Sequence, residues 1–346
     1  MADIRCLNDA HGIDWSAING DCVEVARQMP DASLDFSIYS PPFASIFVYS
    51  SSECDMGNCK DDDEFRTHCQ FLVNEMFRLH KPGTLSAVHC SDLPSTKWKD
   101  GEIGLKDFMG DIVRAHQKAG FILHSRVTIW RDPVVEMTRT KALGLLYKQA
   151  IKDSSRSRVG MPDYLCVFRK PGDREKPVAH TKYIERMLIE DHTDIDDSMD
   201  IKDYEVDMPP PLTDREIWNG GPELWMQGFP VSVWQKLASP VWMDIRQTRT
   251  LNSSSETGVA LSKSGEEEKH ICPLQLDVIE NALFLWSNPG DIVFSPFMGI
   301  GSEGAMSVKH KRKFIGTELK PQYWSQACGH LNHFSKSSAD LFSSVI

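Results

Sequence analysis

Phe294-Ser-Pro-Phe-Met-Gly-Ile-Gly-Ser-Glu-Gly304 is the stretch whose reading decides the fold of this chain. An apolar strand, Asp291 to Phe294, runs into glycines, and a helix from about Gly301 to Lys309 follows. Gly299, Gly301 and Gly304 satisfy G-x-G-x-x-G, and glycines there allow positive φ and close approach of backbone to a ligand. The helix start supplies free N–H groups. Glu318 ends the next strand, 19 residues after Gly299, where a carboxylate can accept hydrogen bonds from ribose hydroxyls. On this stretch alone the ligand is a nucleoside: NAD(P), FAD or S-adenosylmethionine. The plainer alternative is a tight strand–helix turn with a solvated acid.

Working outward, Leu274 to Ser287 is helical and Asn288-Pro-Gly290 is a turn. Lys313 to Glu318 is a strand and Pro321 to Phe334 a helix, with a Ser-rich final dozen residues expected to fray. Towards the other end, Ser16 to Asp21 is a strand end with a turn, Cys22 to Met29 is helical, and Leu34 to Tyr39 is a buried strand. Asp61 to Leu79 is a strong amphipathic helix, with Phe65, Cys69, Leu72, Val73, Met76 and Phe77 on one face and Asp62 or Asp63 as cap. Lys81-Pro82-Gly83 ends it; Leu85 to Cys90 is a strand, Lys106 to Ala119 a helix, and Phe121 to Trp130 and Tyr164 to Phe168 are strands. Strands separated by helices predict an α/β chain with a largely parallel, doubly wound sheet.

The middle breaks the pattern. From Gly172 to about Glu266 periodicity is weak, and Glu185 to Asp207 carries ten acids against two bases. Pro209-Pro-Pro211 and a Trp-rich stretch with Trp218, Trp225, Trp234 and Trp242 follow. This predicts an inserted module with an acidic loop, with Trp225, Trp234 and Trp242 read as the module's core rather than as base stackers. Over all 346 residues, 49 Asp+Glu exceed 38 Lys+Arg, for a net charge of −11. Taken whole, that charge speaks against a nucleic-acid partner. Its distribution does not: Ile122 to Lys176 holds twelve bases and six acids, a local +6.

Hydrophobic and charged fractions of 41% and 25% exclude a disordered or collagen-like chain. No apolar run approaches the roughly 18–20 residues that span a bilayer. Met1-Ala-Asp-Ile-Arg-Cys6 lacks a signal-peptide core, so reduced thiols in a cytoplasmic protein, of a bacterial or phage-infected cell, are expected. The nine cysteines include no C-x-x-C pair; Cys54, Cys59, His68 and Cys69 fit no common zinc spacing, and no metal is expected.

A second motif is Asp35-Phe-Ser-Ile-Tyr-Ser-Pro-Pro-Phe43. Two prolines fix φ and remove two N–H donors, so the carbonyls of Ser40 and Pro41 are held rigidly beside the aromatic Phe43. Alone this is equally a stiffened loop with a core Phe. With the glycine stretch it resembles the exocyclic-amino DNA methyltransferases, which make N6-methyladenine or N4-methylcytosine. Ser40-Pro41-Pro42-Phe43 matches that family's [DNS]-P-P-[YFW], and Phe297-Met-Gly299-Ile-Gly301 its F-x-G-x-G. Arg78 to Gly83, Lys269 to Gln275, Asn288 to Asp291 and Phe314 to Glu318 fit in order, so the likeness covers roughly 16–171 and 268–335. Having the Pro-Pro motif before the glycine motif resembles the circularly permuted beta group.

The resemblance implies a Rossmann-like, doubly wound methyltransferase sheet, permuted, with an inserted target-recognition module. The expected divisions are 1–171 (catalytic half), 172–267 (insertion), 268–335 (cofactor half) and 336–346 (tail). It implies S-adenosylmethionine as cofactor and double-stranded DNA as partner, and it leaves open a homodimer and a cognate restriction endonuclease. Ser40 and Pro41 would accept hydrogen bonds from the target amine, Pro42 would stiffen the loop, and Phe43 would stack on a flipped base. Asp21 and Cys22 would sit at the adenine, Phe297, Gly299 and Gly301 around methionine and ribose, and Glu318 at the ribose hydroxyls, with His270 and Pro273 at the edge. Arg139, Lys141, Lys152, Arg156 and Arg158 are the candidate phosphate contacts. Ser40 leans the target to cytosine N4, with adenine N6 as the alternative. Ser295 departs from the family's usual Asp, as does Ser-Glu-Gly after Gly301 from its usual residues there. Other readings are a nicotinamide-dependent oxidoreductase, a protein-glutamine methylase and a non-catalytic DNA-binding relative.

Overall fold

A computed structural model describes residues 6–43, 55–95, 101, 104–140, 143–178, 231–252 and 273–343. In chain order the longer elements are β1 (Cys6–His11), β2 (Trp15–Gly20), α1 (Cys22–Gln28), β3 (Leu34–Tyr39), α2 (Asp62–Leu79) and β4 (His80–Ser91). Then come β5 (Leu93–Ser95), β6 (Gly104–Lys106), α3 (Phe108–Ala119), β7 (Ile122–Ile129), α4 (Pro133–Thr140), α5 (Tyr147–Asp153) and β8 (Asp163–Arg169). The last are α6 (Val231–Leu237), β9 (Val241–Trp242), α7 (Leu276–Trp286), β10 (Ile292–Ser295), α8 (Ser302–Lys309), β11 (Lys313–Glu318) and α9 (Pro321–Ser343).

One large sheet has the order β1-β2-β11-β10-β3-β4-β8-β7-β9. From β2 through β4 the strands are parallel; β8 runs antiparallel to both neighbours. Helices cover both faces. Residues of α7, α8 and α9 share one apolar core with Trp15 and Val293. Residues of α1, α2 and α3 share another with Leu34 and Phe294. From β10 the chain winds to β11; from β3 it winds the opposite way to β4. The strand order therefore reverses between β10 and β3, and ligands of open α/β sheets bind at the carboxyl ends of such a switch point. Asp35 bolts the two strands together: Oδ2 accepts from the Ile292 amide at 2.9 Å and Oδ1 pairs with Lys81 at 2.6 Å.

The amphipathic spacing of α2 is realised, with Phe65, Cys69, Leu72, Val73, Met76 and Leu79 buried, but its cap is Asp61 rather than Asp62 or Asp63. Asp61 is extended and accepts from the Glu64 amide, which leaves Asp62 and Asp63 in the first turn, where their charge suits the helix dipole. Lys81-Pro82-Gly83 does not form a separate turn. It is the irregular start of β4, with Gly83 at φ 74°. The final helix runs on to Ser343 rather than fraying at Phe334, since no Pro or Gly after Gly329 stops it.

Residues 231–252, a described part of the expected insertion, join the main body. β9 pairs with β7, and Trp242, Ile245 and Leu251 lie in the same apolar core as α7. Trp242 is buried, as a core tryptophan should be, and donates to the Leu237 carbonyl at 3.1 Å. Trp234 is instead half exposed, at 55%. The acidic stretch 185–207, Trp218, Trp225, Cys54, Lys141 and His270 lie outside the described residues.

Candidate active site

A cleft opens at the switch point, lined by the carboxyl ends of β2, β3, β10 and β11. It brings together most of the residues singled out from sequence. Ser40, Pro41, Pro42 and Phe43 form one wall, Phe297 to Ile300 another, with Asp21, Cys22, Pro273 and Glu318 between them. Segments more than 250 residues apart thus meet because β3 and β10 are adjacent.

The glycine loop is shaped by its surroundings. The Met298 amide donates to Thr317 at 2.9 Å, and Thr317 Oγ1 donates to the Pro296 carbonyl at 2.6 Å, so β11 pins the loop. Gly301 is not part of the cleft lining. It caps α8 at φ 89°, and a Cβ there would fall 3.1 Å from Ala327. Its role is the turn itself, a left-handed position that glycine adopts without strain. Gly304 serves packing: a Cβ would lie 2.5 Å from the Phe314 ring.

Carboxylates dominate the cleft. Asp21, Asp55, Glu303 and Glu318 line it, and Lys320 is the one basic residue among its described lining. Asp21 Oδ1 accepts from the amides of Val23 and Glu24, so one oxygen caps α1. Glu318 Oε2 accepts from Gly299 N at 3.0 Å and Oε1 from Lys320 N at 2.8 Å. Burial nevertheless pushes its carboxyl up to about 7. Glu303, in the first turn of α8, is buried and makes no ion pair among the described residues; burial, with the charge of Glu318 adding to it, pushes it up to about 8. Ser295 is fully buried, its Oγ without a hydrogen-bond partner among the described residues, and it stands off the cleft lining. From the segment 294–304 the acid that faces the cleft is therefore Glu303, which in the sequence stands out only as a departure from the family's residues after Gly301. Burial also raises the Cys22 thiol well above its ordinary value, so it is an uncharged wall.

On the other wall, Phe43 is half-buried, its ring 6.1 Å from that of Phe108. Ser40 Oγ lies 3.3 Å from His89 Nδ1 at the end of β4. His89 Nε2 lies 3.6 Å from Asp163 Oδ2, and Asp163 Oδ1 accepts from Arg131 at 3.0 Å. Burial alone would raise Asp163; His89 and Arg131 outweigh it and hold the carboxyl below its ordinary value. Sequence reading missed His89, Asp163 and Arg131. The available signal was a histidine buried at the end of an otherwise apolar strand, Leu85 to Cys90.

The phosphate-contact candidates fare unevenly. Arg156 is exposed and pairs with Asp153 at 3.2 Å. Arg158 is tied to buried Glu136 at 3.2 Å and to the Val159 carbonyl, a structural commitment that counts against a free phosphate contact. Arg139 lies on α4, its side chain outside the description, as is all of Lys141. In the cysteine cluster, Cys59 Sγ meets His68 Nδ1 at 3.6 Å.

Comparison with known proteins gives the family. The DNA methylase profile of the N6/N4 methyltransferases matches residues 34–328. This chain belongs to that family. Among curated relatives, the orphan methyltransferase M.BamHII of Bacillus amyloliquefaciens is 44% identical over 55 residues, 16% of this chain and 21% of its own. The DNA adenine methyltransferase YhdJ of Escherichia coli is 34% identical over 80 residues, 23% of this chain and 27% of its own. These matches span only about a fifth to a quarter of each relative's length. A putative DNA modification methylase of Thermus thermophilus, solved with S-adenosyl-L-methionine, superposes with a TM-score of 0.56 at 18% identity, over 92% of this chain and 94% of that one. It shares the Rossmann-like α/β fold. Among the described residues of this family member, no helix is long and apolar enough to cross a membrane.

Proposed function

We propose that this protein transfers a methyl group from S-adenosylmethionine to the exocyclic amine of a base flipped out of double-stranded DNA. One observation carries the reading: the Ser40-Pro41-Pro42-Phe43 wall and the glycine loop face each other across a single acidic cleft. A dinucleotide would bring an anionic pyrophosphate against Asp21 and Asp55 and oppose ionisation of Glu303 and Glu318, whereas S-adenosylmethionine brings a sulfonium and an ammonium that favour it. That favours the methyl donor over a nicotinamide.

When bound, S-adenosylmethionine supplies an electrophilic methyl, and the protein's task is positioning. Glu318 would hold the ribose hydroxyls, the second oxygen of Asp21 the adenine amine, and Glu303 a positive group of the methionine end. The target nitrogen is conjugated with its ring and so a poor nucleophile. Two acceptors, Ser40 Oγ and the Pro41 carbonyl, favour a pyramidal nitrogen with a localised lone pair. Phe43 replaces part of the stacking lost on flipping, and Arg139, Lys141 and Arg156 contact phosphate.

Ser40 in place of a carboxylate leans the target to cytosine N4. The relative named an adenine methyltransferase keeps N6 as the alternative. The segment 172–267 is read as the target-recognition module, and the enzyme as cytoplasmic, with reduced thiols such as Cys22, Cys90 and Cys166. A homodimer and a paired endonuclease fit the family without any feature here requiring them.

The test is transfer of labelled methyl from S-adenosylmethionine to duplex DNA. Ser40→Ala and Phe43→Ala should each cut the single-turnover rate at least tenfold with cofactor affinity unchanged. Undiminished transfer in both variants would overturn the roles assigned to that wall.

A further inference from the structure

Ser40 poses a chemical problem. A neutral hydroxyl accepts an amine hydrogen less strongly than a carboxylate, and it has no charge with which to take up the proton the amine loses. The residues behind it answer this. His89 Nδ1 is 3.3 Å from Ser40 Oγ, and on the far side of the ring Nε2 is 3.6 Å from Asp163 Oδ2. His89 is 6% and Asp163 4% exposed, so the pair acts in a poorly solvated setting. Asp163 is in turn anchored by Arg131 at 3.0 Å. His89 Nε2 makes no hydrogen bond at 3.6 Å, and closing by a few tenths of an ångström would complete one.

An anionic carboxylate on the Nε2 side favours the tautomer with its hydrogen on Nε2. Nδ1 is then a lone pair aimed at Ser40, so the hydroxyl donates inward to His89. Its oxygen lone pairs are left for the cleft, and donation to His89 makes that oxygen the better acceptor. We propose that Ser40, His89 and Asp163 form a proton relay that removes the amine's proton during methyl transfer, an inference that rests on the assignment of Ser40 to the target amine. In the step, the nitrogen lone pair bonds the methyl carbon and the carbon–sulfur pair stays on sulfur, giving a thioether. One amine hydrogen passes to Ser40 Oγ as the hydroxyl hydrogen passes to His89 Nδ1. The products are a neutral methylamine, a restored Ser40 hydroxyl and an imidazolium facing Asp163. Serine thereby does the work of a carboxylate at one remove.

Asp163 from β8 faces the ring, with Arg131 just after β7 behind it, and the cleft beyond Ser40 carries Asp21, Asp55, Glu303, Glu318 and Lys320. Only the uncharged imidazole can take the proton, so the rate should fall on the acid side.

The experiment is single-turnover methylation of duplex DNA across pH 5 to 9 at saturating S-adenosylmethionine, with cofactor affinity measured by calorimetry. The wild type should show a first-order acid limb rising to a plateau. His89→Gln should bind cofactor as wild type does, lose about 10²–10⁴-fold of the plateau rate and lose the limb. Asp163→Asn should move the limb to lower pH, because the imidazolium loses its counter-charge; should His89→Gln not fold, this shift decides alone. A wild-type limb persisting unshifted in the folded variants, at wild-type plateau rates, overturns the relay while leaving the methyltransferase reading intact. Absence of any methylated amine with wild-type enzyme would sink that reading itself.

Discussion

Glu303→Gln should stabilise the ligand-free protein at alkaline pH and weaken its hold on cofactor. Burial pushes the Glu303 carboxyl from its ordinary 4.5 up to about 8. Between those values the folded chain keeps a proton that the unfolded chain has released. The folded state binds more protons, so wild-type stability falls as pH rises from about 4.5 to about 8. At about 1.4 kcal/mol per pH unit, the part of this window between pH 5.5 and 9 is worth up to about 3 kcal/mol. Relaxation and entering water reduce that, and roughly 1–3 kcal/mol is the expected range. Glutamine has no proton to release. Urea unfolding followed by circular dichroism at pH 5.5 and 9, without cofactor, should show the variant gaining on wild type by that amount. A difference that stays constant between the two pH values would refute the reasoning. Calorimetry at pH 9 should then show the opposite ranking for S-adenosylmethionine, with affinity reduced about tenfold in Glu303→Gln, since the ionised wild-type carboxylate faces a cationic ligand.

Two further perturbations probe the frame around the cleft. Arg249 is nearly buried, pairing with Asp277 at 2.7 Å and with Glu280; Arg249→Ala leaves those buried acids short of a partner and should cost about 3–5 kcal/mol in chemical denaturation. Gly301→Ala places a Cβ at φ 89° and 3.1 Å from Ala327; it should cost about 1–3 kcal/mol by the same assay, with cofactor affinity falling as the loop shifts.

Much of the site was legible in the sequence because it depends on local chemistry. Prolines at 41 and 42 stiffen the backbone and glycines at 299 and 301 open it to positive φ wherever they occur, and each pair follows a strand in the fold. The spacing of α2 and the apolar run of β11 likewise declared themselves through periodicity. What was not legible depends on pairing between distant segments. β1, whose Cys6–His11 lacks an apolar face, exists because β2 offers it an open edge. β9 is two residues long and forms on β7. His89 and Asp163 reach each other only because β4 and β8 pair with His89 opposite Leu165 and Ser91 opposite Asp163. Glu303 reads as a surface acid at a helix start until the packing of α8 buries it against the cleft.

The most direct test of the account is mass spectrometry of nucleosides from duplex DNA incubated with the purified protein and S-adenosylmethionine carrying a labelled methyl. The account predicts labelled N4-methylcytosine, lost in Ser40→Ala. Labelled N6-methyladenine alone would contradict the choice of base, and the absence of label on any exocyclic amine would contradict the central claim.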